Sequence, residues 1–178
     1  MLLKKVFKIY KPVEDLMYAD SKEFELHINN IQINKNVKFE LITKDNCGCY
    51  TANDFFNANI FLQKKAIVLG ARIDNNPVAY GAAILKGGKS TYFRVLNSDM
   101  CFCGLYTYYN YRRQGIMKSL MKELYNRALI NENIEVLSLN VRPDNSTAKK
   151  LYNGLGFKTI KTVTFLKKWI FKFPYYNI

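Results

Sequence analysis

The sequence predicts an α/β fold, and three observations carry the prediction. A β-hairpin pattern spans 66–85, an extended segment at 100–107 and an alternating strand pattern at 135–141 follow, and amphipathic helical patterns lie at 115–131 and 145–155. In the second half the order is therefore strand, loop, helix, strand, helix, strand. That is the arrangement in which loops at strand ends carry ligands.

The elements follow in order. Pro12 suits a helix start, which predicts a helix over Val13–Leu26. Val37, Phe39 and Leu41 alternate with Lys38 and Glu40, so Val37–Ile42 reads as a first strand. Thr51 is a candidate N-cap for a helix over Thr51–Gln63, with Phe55, Phe56, Ile60 and Leu62 on its apolar face. Ala66–Ile73 and Val78–Leu85 form the hairpin around Asp74-Asn75-Asn76-Pro77. Asn and Asp tolerate positive φ there, and Pro cannot continue a ladder. A Lys86–Lys89 turn and extended segments over Thr91–Val95 and Met100–Thr107 come next. In Gly115–Asn131 the residues Met117, Leu120, Met121, Leu124 and Ala128 share a helical face. Leu137, Leu139 and Val141 alternate in a strand over Glu135–Val141. Ala148, Leu151, Tyr152 and Leu155 share the face of a helix over Asn145–Leu155, and Gly156 stands where a C-terminal glycine belongs. Extended segments over Phe157–Lys161 and Val163–Phe173 finish the chain.

The chain has 178 residues, enough for one domain with a real core, and no repeat or linker divides it, so 1–178 reads as a single domain. Hydrophobic residues at 49% and aromatics at 15% exclude a disordered chain. Every apolar run falls short of the roughly 20 residues of a membrane span, and Met1–Lys8 lacks the uninterrupted apolar core of a signal peptide. A cytoplasmic protein is the expectation. The net charge of +13, from 27 Lys+Arg against 14 Asp+Glu, attracts anions of any kind: a nucleotide cofactor, an acidic substrate, nucleic acid or a membrane surface.

The candidate anion site lies at the strand-to-helix junction. Residues Arg112, Arg113, Gln114, Gly115, Ile116, Met117 and Lys118 bridge a strand ending near Thr107 and a helix starting near Gly115. The first N–H groups of a helix lack intrahelical partners and carry partial positive charge, so they bind phosphate. Gly115 removes a side chain where an anion must approach the backbone, and the two arginines add attraction.

The run Leu105-Tyr106-Thr107-Tyr108-Tyr109-Asn110-Tyr111-Arg112-Arg113-Gln114-Gly115-Ile116 resembles the cofactor motif of the GNAT superfamily of N-acetyltransferases. Asn140-Val141-Arg142-Pro143-Asp144-Asn145 and onward to Gly156-Phe157 resembles the second motif of that family almost residue for residue. The resemblance is strong over 99–157, fits the hairpin, and is loose over 1–60. It implies a central, mostly antiparallel twisted sheet with two splayed parallel strands, flanked by helices. It also implies acetyl-CoA as co-substrate and a primary amine as acceptor. The pantetheine arm would pair with Leu105, Tyr106 and Thr107, and the pyrophosphate would rest on the loop from Arg112 to Lys118. Asn145 would contact the cofactor, and Tyr152 would act as general acid to the departing thiolate. Asn145 and Tyr152 are seven residues apart, close to two helical turns, so they share a face. A phenol with a pKa of about 10 is a sensible donor to a thiolate. Met117 stands where the family carries Gly or Ala, so its side chain must point away from the diphosphate, into the core stripe with Met121.

An amine must lose its proton on attack, which calls for a base or a water relay. Asp99 is the nearest carboxylate to the first splayed strand, and Ser138 and Asn140 are candidates to act through water. Cys101 and Cys103 share one strand face, where packing is the expected role over an acetyl-cysteine. The pairs Cys47/Cys49 and Cys101/Cys103 have one intervening residue each, short for structural zinc, so no metal is expected and reduced cysteines are. The only histidine is His27. The lysine- and aromatic-rich tail from Phe165 reads as a last strand with snorkelling lysines. The expected partner is a small-molecule or amino-sugar amine, with a homodimer left open, no nucleic acid and no membrane span. A peptide amine, or a non-catalytic nucleic-acid-binding role, is the alternative.

Overall fold

The hairpin of the sequence pattern forms the second and third strands of a larger sheet. In this computed structural model the described residues are 13–32, 36–53, 56–57, 59–62, 65–90, 93–96, 98–130 and 132–164. The segments expected over residues 1–12 and from Phe165 onward, the basic aromatic tail among them, lie outside these, as does the start of the extended segment expected over Thr91–Val95. Seven strands form the sheet: β1 (Val13–Asp20), β2 (Lys38–Leu41), β5 (Ala66–Ile73), β6 (Asn76–Ile84), β7 (Asp99–Thr107), β8 (Val136–Val141) and β9 (Lys158–Thr164). Their spatial order is β2-β5-β6-β7-β8-β1-β9. Every neighbouring pair is antiparallel except β7 and β8, which run parallel. The two short strands β3 (Thr51–Asn53) and β4 (Phe56–Asn57) pair separately. The helices are α1 (Ser21–Asn29), α2 (Asn59–Leu62), α3 (Ile116–Leu129) and α4 (Ser146–Asn153).

Three expectations are corrected. Val13–Leu26 is not one helix: Val13–Asp20 is a strand and the helix begins at Ser21. Asp15, Met17 and Ala19 alternate inward, but a buried aspartate disguises the period as polar. Asp20 is the true N-cap, its carboxylate accepting from the N–H groups of Lys22 at 2.9 Å and Glu23 at 3.3 Å. Thr51–Gln63 is likewise not one helix but β3, β4 and the single turn α2. A continuous helix would have held Asn53, Asp54, Asn57 and Asn59 in its interior, where side chains that bond local backbone are disfavoured. The hairpin turn is the two residues Asp74 (φ 48°) and Asn75 (φ 66°), and Pro77 pairs with Arg72 inside β6, beside a bulge at Val78 of the same strand.

The main core lies between the sheet and α1, α3 and α4. Phe24 of α1 packs its ring 5.8 Å from Phe102, 5.2 Å from Tyr125 and 5.8 Å from Phe157. A second core of Ile42, Tyr50, Phe61, Val68, Tyr80 and Ala82 covers the opposite face. There the Tyr50 hydroxyl donates to Glu40 at 2.5 Å and Arg72 Nε donates to the same oxygen at 2.7 Å. The β1 strand is tied to the far end of the chain by Asp15. Lys149 Nζ of α4 donates to one oxygen of this buried carboxylate at 2.5 Å, and Thr162 Oγ1 of β9 donates to the other at 2.6 Å.

Candidate functional site

The parallel pair does not stay together. β7 and β8 pair from Asp99↔Val136 to Phe102↔Leu139 and no further. Beyond that point β7 runs on to Thr107 held by β6 alone, and Asn140 and Val141 of β8 are held by β1 alone. A wedge opens between the strands, with Leu105, Tyr106 and Thr107 along one edge. The divergence has a local cause. Gly104 adopts φ 58°, the β6–β7 register shifts between Tyr80 and Ala82, and Phe61 occupies the space a side chain at Gly104 would need. The two walls differ: Leu105 packs toward the main core, while Tyr106 packs with Tyr80 and Tyr108 in the second core.

The wedge leads to the basic loop. A short turn at Tyr109–Tyr111 precedes Arg112, Arg113 (φ 62°), Gln114 and Gly115 (φ 73°). Two left-handed residues swing the chain into α3 with no side chain capping its start. Ser119 N–H is the first to find a helical partner, Gly115 O at 3.1 Å. Among the described residues none accepts from the N–H groups of Ile116, Met117 and Lys118. This leaves a positively polarised backbone cradle at the mouth of the wedge. An added Cβ at Gly115 would meet nothing within 4 Å, so the glycine is required by φ rather than by space. Arg112 Nε donates to Thr107 O at 3.1 Å, and its guanidinium lies 5.8 Å and 5.5 Å from the ring centroids of Tyr106 and Tyr109. Gln114 Nε2 donates to Asn110 O at 3.3 Å. Arg113 is exposed, Ile116 is buried, and Met117 packs against the main core.

On α4, the Asn145 carbonyl oxygen accepts from Ala148 N–H at 3.1 Å, so this side chain caps its helix. Tyr152 is buried in the main core, its ring 6.1 Å from that of Phe157. Burial alone pushes its phenol up to about 12. That keeps the hydroxyl protonated across ordinary pH and makes it a weaker acid than a solvated phenol.

The remaining candidates sit on the other face or off the wedge. Asp99 begins β7, within the paired stretch, three residues before the last strand pair. Burial raises its carboxyl pKa, and the nearby Glu135 raises it further. Ser138 is buried and donates to Met100 O at 3.3 Å. Cys101 Sγ and Cys103 Sγ lie 3.5 Å apart, and no disulfide joins the four cysteines. Among the described residues no group of three or more His, Cys, Asp or Glu is placed to hold a metal, and no helix is long and apolar enough to cross a membrane. His27 is exposed on α1. Sequence reasoning missed Gly104 as the pivot of the split; an isolated glycine inside a strand pattern was the available signal. It also missed the Arg112–tyrosine contacts, which join residues of strand and loop.

Comparison with known proteins agrees with this geometry. A GNAT-family protein of Novosphingobium aromaticivorans is 18% identical, with a TM-score of 0.61 over 88% of this chain and 63% of its own. A tandem GNAT protein from the clavulanic acid biosynthesis pathway is 12% identical, with a TM-score of 0.67 over 89% of this chain and 53% of its own. The chain thus spans less than two thirds of the length of either. The aminoglycoside N-acetyltransferase AAC(6')-Iy in complex with CoA is 14% identical, with a TM-score of 0.60 over 75% of this chain and 100% of its own. At these identities the likeness establishes the fold. No curated protein matches in sequence. The acetyltransferase (GNAT) family signature matches residues 38–157, two thirds of the chain and the whole of the split, the loop and α4, and the chain belongs to that family.

Proposed function

We propose that the chain transfers the acetyl group of acetyl-CoA to a primary amine of a small molecule, by direct attack of the amine. The observation that carries this reading is the wedge between β7 and β8, which opens onto the unpartnered N–H groups at the start of α3. An extended amide-bearing arm can add to the edge of β7 at Leu105, Tyr106 and Thr107, as a strand would. The diphosphate then meets the backbone from Gly115 to Lys118, with Arg112 and Arg113 supplying charge. Asn145, already capping α4, presents its remaining amide donor near the same end.

When bound, acetyl-CoA supplies a thioester: the amine nitrogen bonds to the carbonyl carbon, the carbon–sulfur bond breaks, and the thiolate takes a proton. Tyr152 holds a proton for that step. With its phenol held near 12 it serves the sulfur chiefly as a hydrogen-bond donor. Asp99 was a candidate base, and its position in the closed part of the strand pair supports a role only through intervening water. An aminoglycoside as acceptor is suggested by the name of one neighbour, AAC(6')-Iy, solved in two complexes, and by nothing in this chain's own site.

The test is direct. Calorimetry with CoA should show binding, and acetyl-CoA with a panel of amines should release thiol. A protein that binds neither CoA nor acetyl-CoA is not this enzyme.

A further inference from the structure

Among the described residues one buried side-chain polar atom has no hydrogen-bond partner, and it is Asn140 Oδ1. Its position explains the vacancy. Two residues earlier on the same strand face, Ser138 finds its partner in Met100 O because β7 still runs alongside. Asn140 is the first residue of β8 past the last β7 pair, Phe102↔Leu139. The neighbouring backbone has moved away, and on its other side Asn140 meets Leu16 of β1, which offers no side-chain donor. Buried acceptors are almost always satisfied, so the missing donor belongs to whatever enters the wedge.

We infer that Asn140 Oδ1 receives an N–H of the incoming amine and is a positioning residue for the acceptor. This rests on the acetyltransferase reading. The two faces of the sheet separate the roles. Leu137, Leu139 and Val141 of β8 point into the main core that holds Tyr152. By strand alternation Ser138 and Asn140 point the other way, toward the face that carries Cys103, Tyr80 and Tyr106. A cofactor arm pairs with the strand edge through backbone groups, in the plane of the sheet. The nucleophile must come from above or below that plane, and the helical side is filled by core. The amine therefore arrives on the Asn140 face, while the phenol stands on the opposite face. The chemistry of the group adds a constraint. An amide carbonyl accepts a hydrogen bond but takes no proton at ordinary pH. Asn140 orients the amine, and the proton that the amine loses goes to water. The favoured acceptor is accordingly an amine with a substantial neutral fraction, held by one neutral oxygen rather than by carboxylates.

The experiment compares the parent with Asn140→Leu and Asn140→Asp. Leucine keeps the volume and deletes both polar heads; aspartate keeps acceptor oxygens and deletes the N–H donors. Melting temperature, CoA affinity by calorimetry, and amine KM and kcat by thiol release are measured with propylamine, benzylamine, glucosamine and spermidine. Expected for Asn140→Leu are an unchanged or raised melting temperature, unchanged CoA affinity, and an amine KM raised about tenfold, the scale of one hydrogen bond. Asn140→Asp should recover most of that loss. Unchanged amine KM and kcat in Asn140→Leu overturn the assignment, and so does a loss of CoA affinity matching the loss of activity. Failure of Asn140→Asp to rescue shows that the donors matter and also overturns it. A parent that binds CoA yet releases thiol with no amine overturns the assignment and leaves the CoA site standing. A parent that binds no CoA overturns the acetyltransferase reading itself.

Discussion

Gly104 lies against Phe61 so closely that a Cβ built on the glycine would fall 2.3 Å from Phe61 Cε2. The glycine also sits at φ 58°. The place where β7 leaves its partner is thus set by backbone conformation and close packing together. Gly104→Ala should destabilise the fold by roughly 2–4 kcal/mol, combining the left-handed cost with overpacking. Chemical denaturation measures the loss. Gly104→Ala with Phe61→Leu should recover part of it, because the smaller side chain relieves the clash and leaves the dihedral cost.

Gly115 makes the opposite case. It needs a positive φ but has open space around it. Gly115→Ala should cost about 1–2 kcal/mol of stability and leave CoA binding largely intact. Gly115→Glu adds a carboxylate beside the amide cradle, where like charge costs several kcal/mol. Calorimetry should then show CoA affinity lowered by about a hundredfold or more.

Removal of the Tyr152 hydroxyl should separate chemistry from binding. Tyr152→Phe should lower kcat by about a hundredfold, with CoA affinity and melting temperature near those of the parent. The sign of the shift fixes the pH profile. A phenol raised to about 12 stays protonated as pH rises, so no alkaline loss of rate belongs to Tyr152 below about pH 10. An activity in Tyr152→Phe equal to the parent's removes the residue from the reaction.

Asp15 and Lys149 tie β1 to the helix that carries Tyr152. The Lys149 hydrogen bond, with that of Thr162, holds the Asp15 carboxyl below its ordinary 3.8 against the opposing effect of burial. A depressed carboxyl contributes stability that is present above its ordinary pKa and lost as pH falls through the lowered one. Unfolding free energy should therefore drop below about pH 4 in the parent, and Asp15→Asn should flatten that slope. Lys149→Met leaves the buried carboxylate uncompensated, and denaturation at neutral pH should show a loss of about 3 kcal/mol.

The second half of the fold was legible because its signals are local. Leu120, Met121 and Leu124 mark a helix by their own spacing, and α4 follows its pattern to Asn153, two residues short of the expected end, with Gly154 as C-cap and Gly156 left-handed at φ 88°. The loop from Arg112 to Lys118 was readable for the same reason. The first strand was not, because Asp15 is buried only by virtue of Lys149 and Thr162, more than a hundred residues away. Nothing within a window around Val13–Asp20 announces such partners. The split was hidden similarly: Gly104 becomes a pivot through Phe61, and Asn140 loses a partner through the absence of a neighbouring strand that its own sequence cannot express. Residues whose roles depend on what has moved away from them leave no periodicity to read.

The position of β1 carries a consequence for how the chain folds. Residues 13–20 precede both of their sheet neighbours, β8 and β9, which come from 136–141 and 158–164. The strand must wait for those distant segments before it can pair, and contacts of such long sequence separation slow folding. Until then β8 has no strand on the side away from β7, and one wall of the wedge is unsupported. Closure of that wall therefore depends on capture of the first described strand by segments more than a hundred residues further on.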